Sequence, residues 1–114
     1  MNHLFICSAN KQRSKTAEDY FSAKYPQVQF LSAGTNLRLC RQEGTTPLTD
    51  DLLHWADLIW VMEQRHLDHL KKNGGSKHYN KVTVLHIPDQ YPYYEYSLNY
   101  WKKRLGSKEF SVNR

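Results

Sequence analysis

Five consecutive apolar residues, Leu58-Ile59-Trp60-Val61-Met62, restrict the fold of this chain more than any other feature. A strand with one wet face alternates apolar and polar residues, whereas an unbroken apolar run is covered on both faces. Strands of that kind belong to parallel sheets, whose crossover connections lay helices above and below. The remaining segments fit such a sheet. Leu4 to Ile6 reads as a buried strand, and Ser14 to Tyr25 as a helix closed by Pro26, with Ala17, Tyr20 and Phe21 at helical spacing. Val28 to Leu31 reads as a second strand, left by the turn Ser32-Ala33-Gly34-Thr35. Asn36 to Thr46 carries a weak pattern and is expected to be a loop. Thr49 is placed to cap a helix over Asp50 to Trp55, whose acidic first turn suits the helix dipole. Glu63 to Lys72 predicts another helix, ended by Asn73-Gly74-Gly75, and Lys81 to Ile87 a fourth strand. A closing helix is expected over Ser97 to Leu105. Strand alternating with helix four times gives an α/β fold with right-handed crossovers.

Ligands of such sheets bind at the carboxyl ends of the strands, and three chemically suggestive segments fall at that edge. The first is Cys7-Ser8-Ala9-Asn10-Lys11-Gln12-Arg13-Ser14, which directly follows the first strand. A C-x5-R-S loop between a strand and a helix can wrap an oxyanion, because its backbone N–H groups and the helix N-terminus point at the anion. Arg13 adds a planar clamp for two oxygens, and the same field favours a thiolate at Cys7. The other two segments are the Ser32 turn and the loop Pro88-Asp89-Gln90-Tyr91. The plainer alternatives are a buried structural Cys7, a surface Arg13 and an Asp89 that only starts a turn.

Composition sets the setting for that chemistry. One domain spanning residues 1–114 is expected, since 114 residues suffice for a single core. No apolar stretch approaches the roughly 20 residues of a membrane span, and the start lacks a secretory signal, so no membrane role and a cytoplasmic location are expected. Two cysteines cannot build a disulfide scaffold, which fits a reducing compartment where a free thiol can work. The formal net charge of +5 points to an anionic partner. Its basic residues are scattered, and the groups Lys71-Lys72 and Lys102-Lys103-Arg104 read as solvated helix faces rather than a nucleic-acid surface.

Taken in order, these segments resemble the low-molecular-weight protein tyrosine phosphatases, in particular their shorter bacterial branch. Cys7, Asn10, Arg13 and Ser14 match that family's C-x-x-N-x-x-R-S loop, and Ser32-Ala33-Gly34-Thr35 its S-A-G-T turn. Ala56-Asp57-Leu58-Ile59-Trp60-Val61-Met62-Glu63 is similar to its apolar-D-x-I-x-x-M-D/E segment, and Asp89-Gln90-Tyr91 to its late D-P-Y loop. The resemblance implies a flavodoxin-like three-layer sandwich with four parallel strands in the order 2-1-3-4. It implies phosphomonoester hydrolysis without metal or other cofactor, through a cysteinyl-phosphate. Cys7 would be the nucleophile, Arg13 the clamp, and Asp89 the acid that protonates the leaving oxygen and then serves as base. Residues Ser8, Ala9, Asn10, Lys11, Gln12 and Arg13 would bind phosphate. Ser14 would hydrogen-bond the Cys7 sulfur, Asn10 and Ser32 would hold the loop, and Tyr91 would stand at the substrate rim. The expected partners are a phosphorylated protein or small aryl phosphate, with inorganic phosphate or sulfate as a simple ligand.

Three positions depart from the family pattern: Gln90 stands for the Pro of D-P-Y, Ala9 for a Gly, and Gln12 for a second cysteine. Cys40 offers an alternative chemistry, an arsenate reductase using Cys7 and Cys40, but reads more simply as an ordinary thiol in a variable loop. A non-catalytic phosphate- or phosphoprotein-binding module is the other alternative. His66 and His69, at i and i+3 of a helix, raise a metal site that lacks a convergent third ligand and read instead as surface residues. Tyr93, Tyr94 and Tyr96 are expected at the rim or under the last helix. Asp57, Trp55, Trp60 and Trp101 are expected to be structural.

Overall fold

The structure, a computed structural model, describes residues 1–11, 13–73 and 75–86. The elements run β1 (Asn2–Cys7), α1 (Arg13–Lys24), β2 (Gln29–Gly34), α2 (Leu37–Glu43), α3 (Asp50–Trp55), β3 (Leu58–Val61), α4 (Gln64–Lys72), a 3₁₀ turn (Gly75–Lys81) and β4 (Val82–Val84). The four strands form one sheet in the order β2-β1-β3-β4, and every pairing is parallel. The α/β class and strand order expected from the sequence are therefore found.

Both faces of the sheet are covered, as the apolar run of β3 requires. Side chains alternate along β1. Phe5 and Cys7 join Ala17 and Phe21 of α1 with Phe30, Trp60 and Met62 on one face. Leu4 and Ile6 join Ala33, Leu53 of α3, Ile59, Val61 and Leu70 of α4 on the other. The first face is aromatic: the Phe5 ring stacks with Phe21 and Phe30 at centroid distances of 5.9 and 6.0 Å. The second is aliphatic. Leu4, Phe5, Ile6 and Ile59 are wholly buried, each contributing on the order of 1.5–3 kcal/mol by leaving water.

At the amino end of β1 the polar groups close on one another. The Asn2 backbone N–H donates to Asp57 Oδ2 at 2.7 Å, the Asn2 side chain donates to Trp55 O at 2.9 Å, and Asp57 N returns a bond to Asn2 O at 2.8 Å. Beside them His3 stacks on Phe30 and accepts from Trp60 Nε1 on Nδ1 at 3.1 Å. Asp57, Trp55 and Trp60 thus serve packing and sheet closure.

Three expectations are corrected. The segment 36–46 holds the helix α2 rather than a loop. Asn36 Oδ1 caps it by accepting from Leu39 N at 3.1 Å, and Gly44 closes it at φ 70°, the left-handed conformation that a helix end demands. Ser32, Ala33 and Gly34 belong to β2 instead of turning out of it, paired with Phe5, Ile6 and Cys7. The fourth strand is shorter than 81–87. Lys81 ends the 3₁₀ turn, where its ammonium donates to Leu53 O and Ala56 O at the carboxyl end of α3. The helix expected over 97–105, and with it Trp101 and the Lys102-Lys103-Arg104 group, lies outside the described residues.

Candidate active site

The segment after β1 is held from its outer side. Thr35 N donates to Cys7 O and Asn36 N to Ser8 O, each at 2.9 Å. Thr45 Oγ1 donates to Ala9 O at 2.5 Å, and the Cys40 thiol lies 3.6 Å from the same oxygen. Three successive carbonyls, of Cys7, Ser8 and Ala9, are thus engaged by the segment from Thr35 to Thr45. The next turn begins α1.

Gly34 makes this close packing possible. A Cβ there would lie 2.4 Å from Cys40 Sγ and 2.5 Å from Ser8 O, closer than real atoms approach. Cys40 is wholly buried beneath the loop, its sulfur among the carbonyls of Ser8, Ala9 and Thr46. It is a packing thiol on α2, not a thiol in an open loop.

Inside the loop, Cys7 Sγ lies 3.0 Å from Ser14 Oγ, and Ser14 donates to Asn10 Oδ1 at 2.7 Å. Asn10 adopts φ 52°, a left-handed conformation that asparagine tolerates better than most residues. The three side chains are buried and form one chain of hydrogen bonds ending on the sulfur. Because Ser14 has a single hydroxyl proton, giving it to Asn10 makes Ser14 the acceptor from a neutral thiol. Stabilising a thiolate requires that proton to swing to sulfur. Ser32 is one step further out: its hydroxyl donates to Glu18 Oε1 at 2.5 Å and ties β2 to α1.

Arg13 is 2% exposed at the first position of α1. Its Nη1 lies 2.5 Å from Glu63 Oε2, and the same oxygen accepts from Arg65 Nη2 at 2.9 Å. Although partial burial works in the other direction, hydrogen bonds from Arg65 and Arg13 hold the Glu63 carboxyl below its usual range. Glu63 therefore stays ionised and fixes the guanidinium. Lys11 reaches outward to Glu43 on α2 at 2.6 Å.

His66 completes this wall. It is 1% exposed, so the expectation of a surface histidine is wrong: the helix faces it inward, where Nδ1 accepts from Glu63 N and Nε2 meets Ser8 Oγ, both at 3.0 Å. Burial, then the charges of Arg13 and Arg65, push its pKa down to about 4. Glu63 and His66 are the residues whose part the sequence did not reveal. Glu63 was legible as the acidic end of the β3 motif, as the start of a helix and as a possible neighbour of His66 and His69, but not as the partner of Arg13. A helical His gives no sign of which way it points. Of the other expected site residues, Cys7, Asn10 and Ser14 are joined by hydrogen bonds at the junction of β1 and α1, where Ser8, Ala9 and Arg13 also lie, while the Lys11 side chain turns to Glu43. Gln12, Asp89 and Tyr91 lie outside the described residues, as do Gln90, Tyr93, Tyr94 and Tyr96.

No family model matches the chain, and no curated protein matches it. Solved structures do. Wzb from Vibrio vulnificus, determined with benzylphosphonate, superposes with a TM-score of 0.71 at 21% identity, over 91% of this chain and 90% of that one. A low-molecular-weight phosphotyrosine phosphatase from Vibrio cholerae O395 gives 0.62 at 22% identity, over 82% and 76%. The YwlE arginine phosphatase from Geobacillus stearothermophilus gives 0.60 at 22% identity, over 74% and 66%. The four-stranded parallel sheet in the order β2-β1-β3-β4, with helices on both faces, places the chain in the flavodoxin-like α/β class. Within that class its fold is that of the low-molecular-weight protein tyrosine phosphatases, the family its motifs resemble.

Proposed function

We propose that the protein is a cysteine-dependent phosphomonoester hydrolase acting on phosphotyrosine or small aryl phosphates. The observation that carries this reading is the Cys7–Ser14–Asn10 hydrogen-bond chain beside the buried, carboxylate-anchored Arg13. The Cys7 thiol gives up its proton to solvent and the thiolate attacks phosphorus. The P–O ester bond breaks, the ester oxygen leaves with a proton, and the S–P bond left on Cys7 is then cleaved by water to inorganic phosphate and the free sulfur. The Ser14 hydroxyl turns to the sulfur as it becomes anionic and again as it leaves. Fixed donors of the loop and Arg13 offset the charge of the transferring phosphoryl group without reorganising. Splitting hydrolysis through a covalent intermediate eases both halves. Asp89 is assigned as the acid that protonates the leaving oxygen and as the base for the attacking water, by its place in the family motif. Tyr91 is assigned to the rim on the same ground.

The solved neighbours include both a phosphotyrosine and an arginine phosphatase, so fold alone does not choose the substrate. The choice of aryl esters rests on the Asp89-Gln90-Tyr91 segment and the tyrosines after it. The test is hydrolysis of p-nitrophenyl phosphate in the presence of a chelator. Turnover is expected for the native chain and its loss for Cys7→Ser. Turnover of the Cys7→Ser protein at the native rate would remove the mechanism.

A further inference from the structure

The loop hangs from one helical cap by two attachments, and only one of them involves Arg13. Glu63 precedes the first turn of α4 and holds Arg13, at the far end of the loop. His66, the third residue of α4, holds Ser8, the residue directly after the nucleophile. The direction of that second bond can be worked out. Glu63 N–H donates to Nδ1, so Nδ1 carries no proton, and a neutral imidazole must then carry it on Nε2. His66 Nε2–H therefore donates to Ser8 Oγ, and the Ser8 hydroxyl proton is turned away from His66. Ser8 lines a groove of about 400 Å³ beside the loop together with Asn36, Leu37, Arg65, His66 and His69. Among the described residues the Ser8 hydroxyl proton has no acceptor.

We propose that His66 is a positioning residue for the phosphoryl site, acting through Ser8: it fixes the chain directly after the nucleophile and turns the Ser8 hydroxyl as a donor toward the bound group. This rests on the phosphatase reading of the loop. It gives α4 a second function beside covering the sheet, because two residues at its start hold, by separate bonds, the residue next to the sulfur and the guanidinium. It also explains why a buried, neutral histidine occupies the third helix position, where a Glu or Gln suffices for a capping box. A carboxylate there would accept the Ser8 proton and turn the hydroxyl away from the anion.

The test is the affinity for inorganic phosphate, measured by titration calorimetry on the native chain, Ser8→Ala, His66→Phe and the double variant. Thermal unfolding of each is recorded alongside. Ser8→Ala and His66→Phe are each expected to weaken phosphate binding by about five- to tenfold, the effect of one part-buried hydrogen bond. In the Ser8→Ala background, His66→Phe should cost less than about twofold more, since its route to the site is already cut. Its lower unfolding temperature, from the lost cap, should appear in both backgrounds. Should the Phe variant unfold, His66→Gln keeps an acceptor for the Glu63 N–H and enters the same cycle. Additive losses in the double variant, or an unchanged affinity for Ser8→Ala, would overturn the proposal. Failure of the native chain itself to bind phosphate would instead remove the phosphatase reading on which it rests.

Discussion

The two ends of β1 use the same materials for different ends. Each carries a buried neutral histidine with its pKa pushed down to about 4, His3 by burial and then the chain's amino terminus, His66 by burial and then Arg13 and Arg65. Each carries a carboxylate bonded across the sheet edge, Asp57 to Asn2 and Glu63 to Arg13. At the amino end these bonds pair off: Asn2 with Asp57, His3 with Trp60. At the carboxyl end they hold a loop, engaging the carbonyls of Cys7, Ser8 and Ala9 and tying Arg13 to Glu63 and Ser8 to His66, and in the proposed reading the remaining donors serve the phosphoryl group. A polar cluster is structural when its donors are consumed within it, and functional when its bonds aim donors at a shared point.

The largest difference between the two ends should appear when a charged side chain is removed from each. Arg13→Ala is expected to lower kcat/KM for p-nitrophenyl phosphate by about 10²–10³-fold, the scale of losing a fixed transition-state donor. Asp57→Ala should leave kcat/KM within about twofold while lowering stability by about 1 kcal/mol. Equal losses of activity at both ends would break the distinction.

Next in size is a property that the ends share. For both histidines the folded pKa lies below the unfolded value of about 6.5, so the folded state favours the neutral ring. Their contribution is fully present above about pH 6.5 and is lost as pH falls toward about 4, by at most on the order of 3 kcal/mol each. Chemical denaturation from pH 7.5 to 4 should show that decline, and replacing either histidine by a residue that does not titrate should flatten part of it. A smaller effect separates Glu63 from Asp57. Glu63→Gln keeps the shape but removes the charge that fixes Arg13, and should lower kcat/KM by about tenfold with little change in the unfolding midpoint. If only stability falls, Glu63 belongs with Asp57 as a sheet-closing residue.

The distinction between the ends was only half visible in the sequence. The apolar run of β3 required a sheet covered on both faces, and Cys7, Arg13 and Ser14 marked the loop through their spacing. The parallel sheet followed from the alternation of strands and helices, and the strand order from the family resemblance alone. Helix α2 was missed because its seven residues, Leu37–Glu43, bury only Cys40 and so show no apolar period; its signals were the capping Asn36 and the terminal Gly44. The extension of β2 through Ser32, Ala33 and Gly34 was hidden by residues that look like a turn. Of these, Gly34 has no side chain because it must lie against Ser8 O and Cys40 Sγ, a constraint from across the fold. His66 was misread for a similar reason. Periodicity says which residues share a helix face, but not that a loop 58 residues earlier supplies its partner.

The catalytic roles assigned to Cys7, Ser14 and Arg13 depend on phosphorus becoming bonded to Cys7. Rapid acid quench during turnover of p-nitrophenyl phosphate, followed by peptide mapping of the labelled protein, reads that bond directly. The account predicts a phosphoryl group on the peptide containing Cys7, formed in the first turnover and released as inorganic phosphate. Phosphate release that proceeds with no phosphoryl group on Cys7, or with one on another residue, would contradict it.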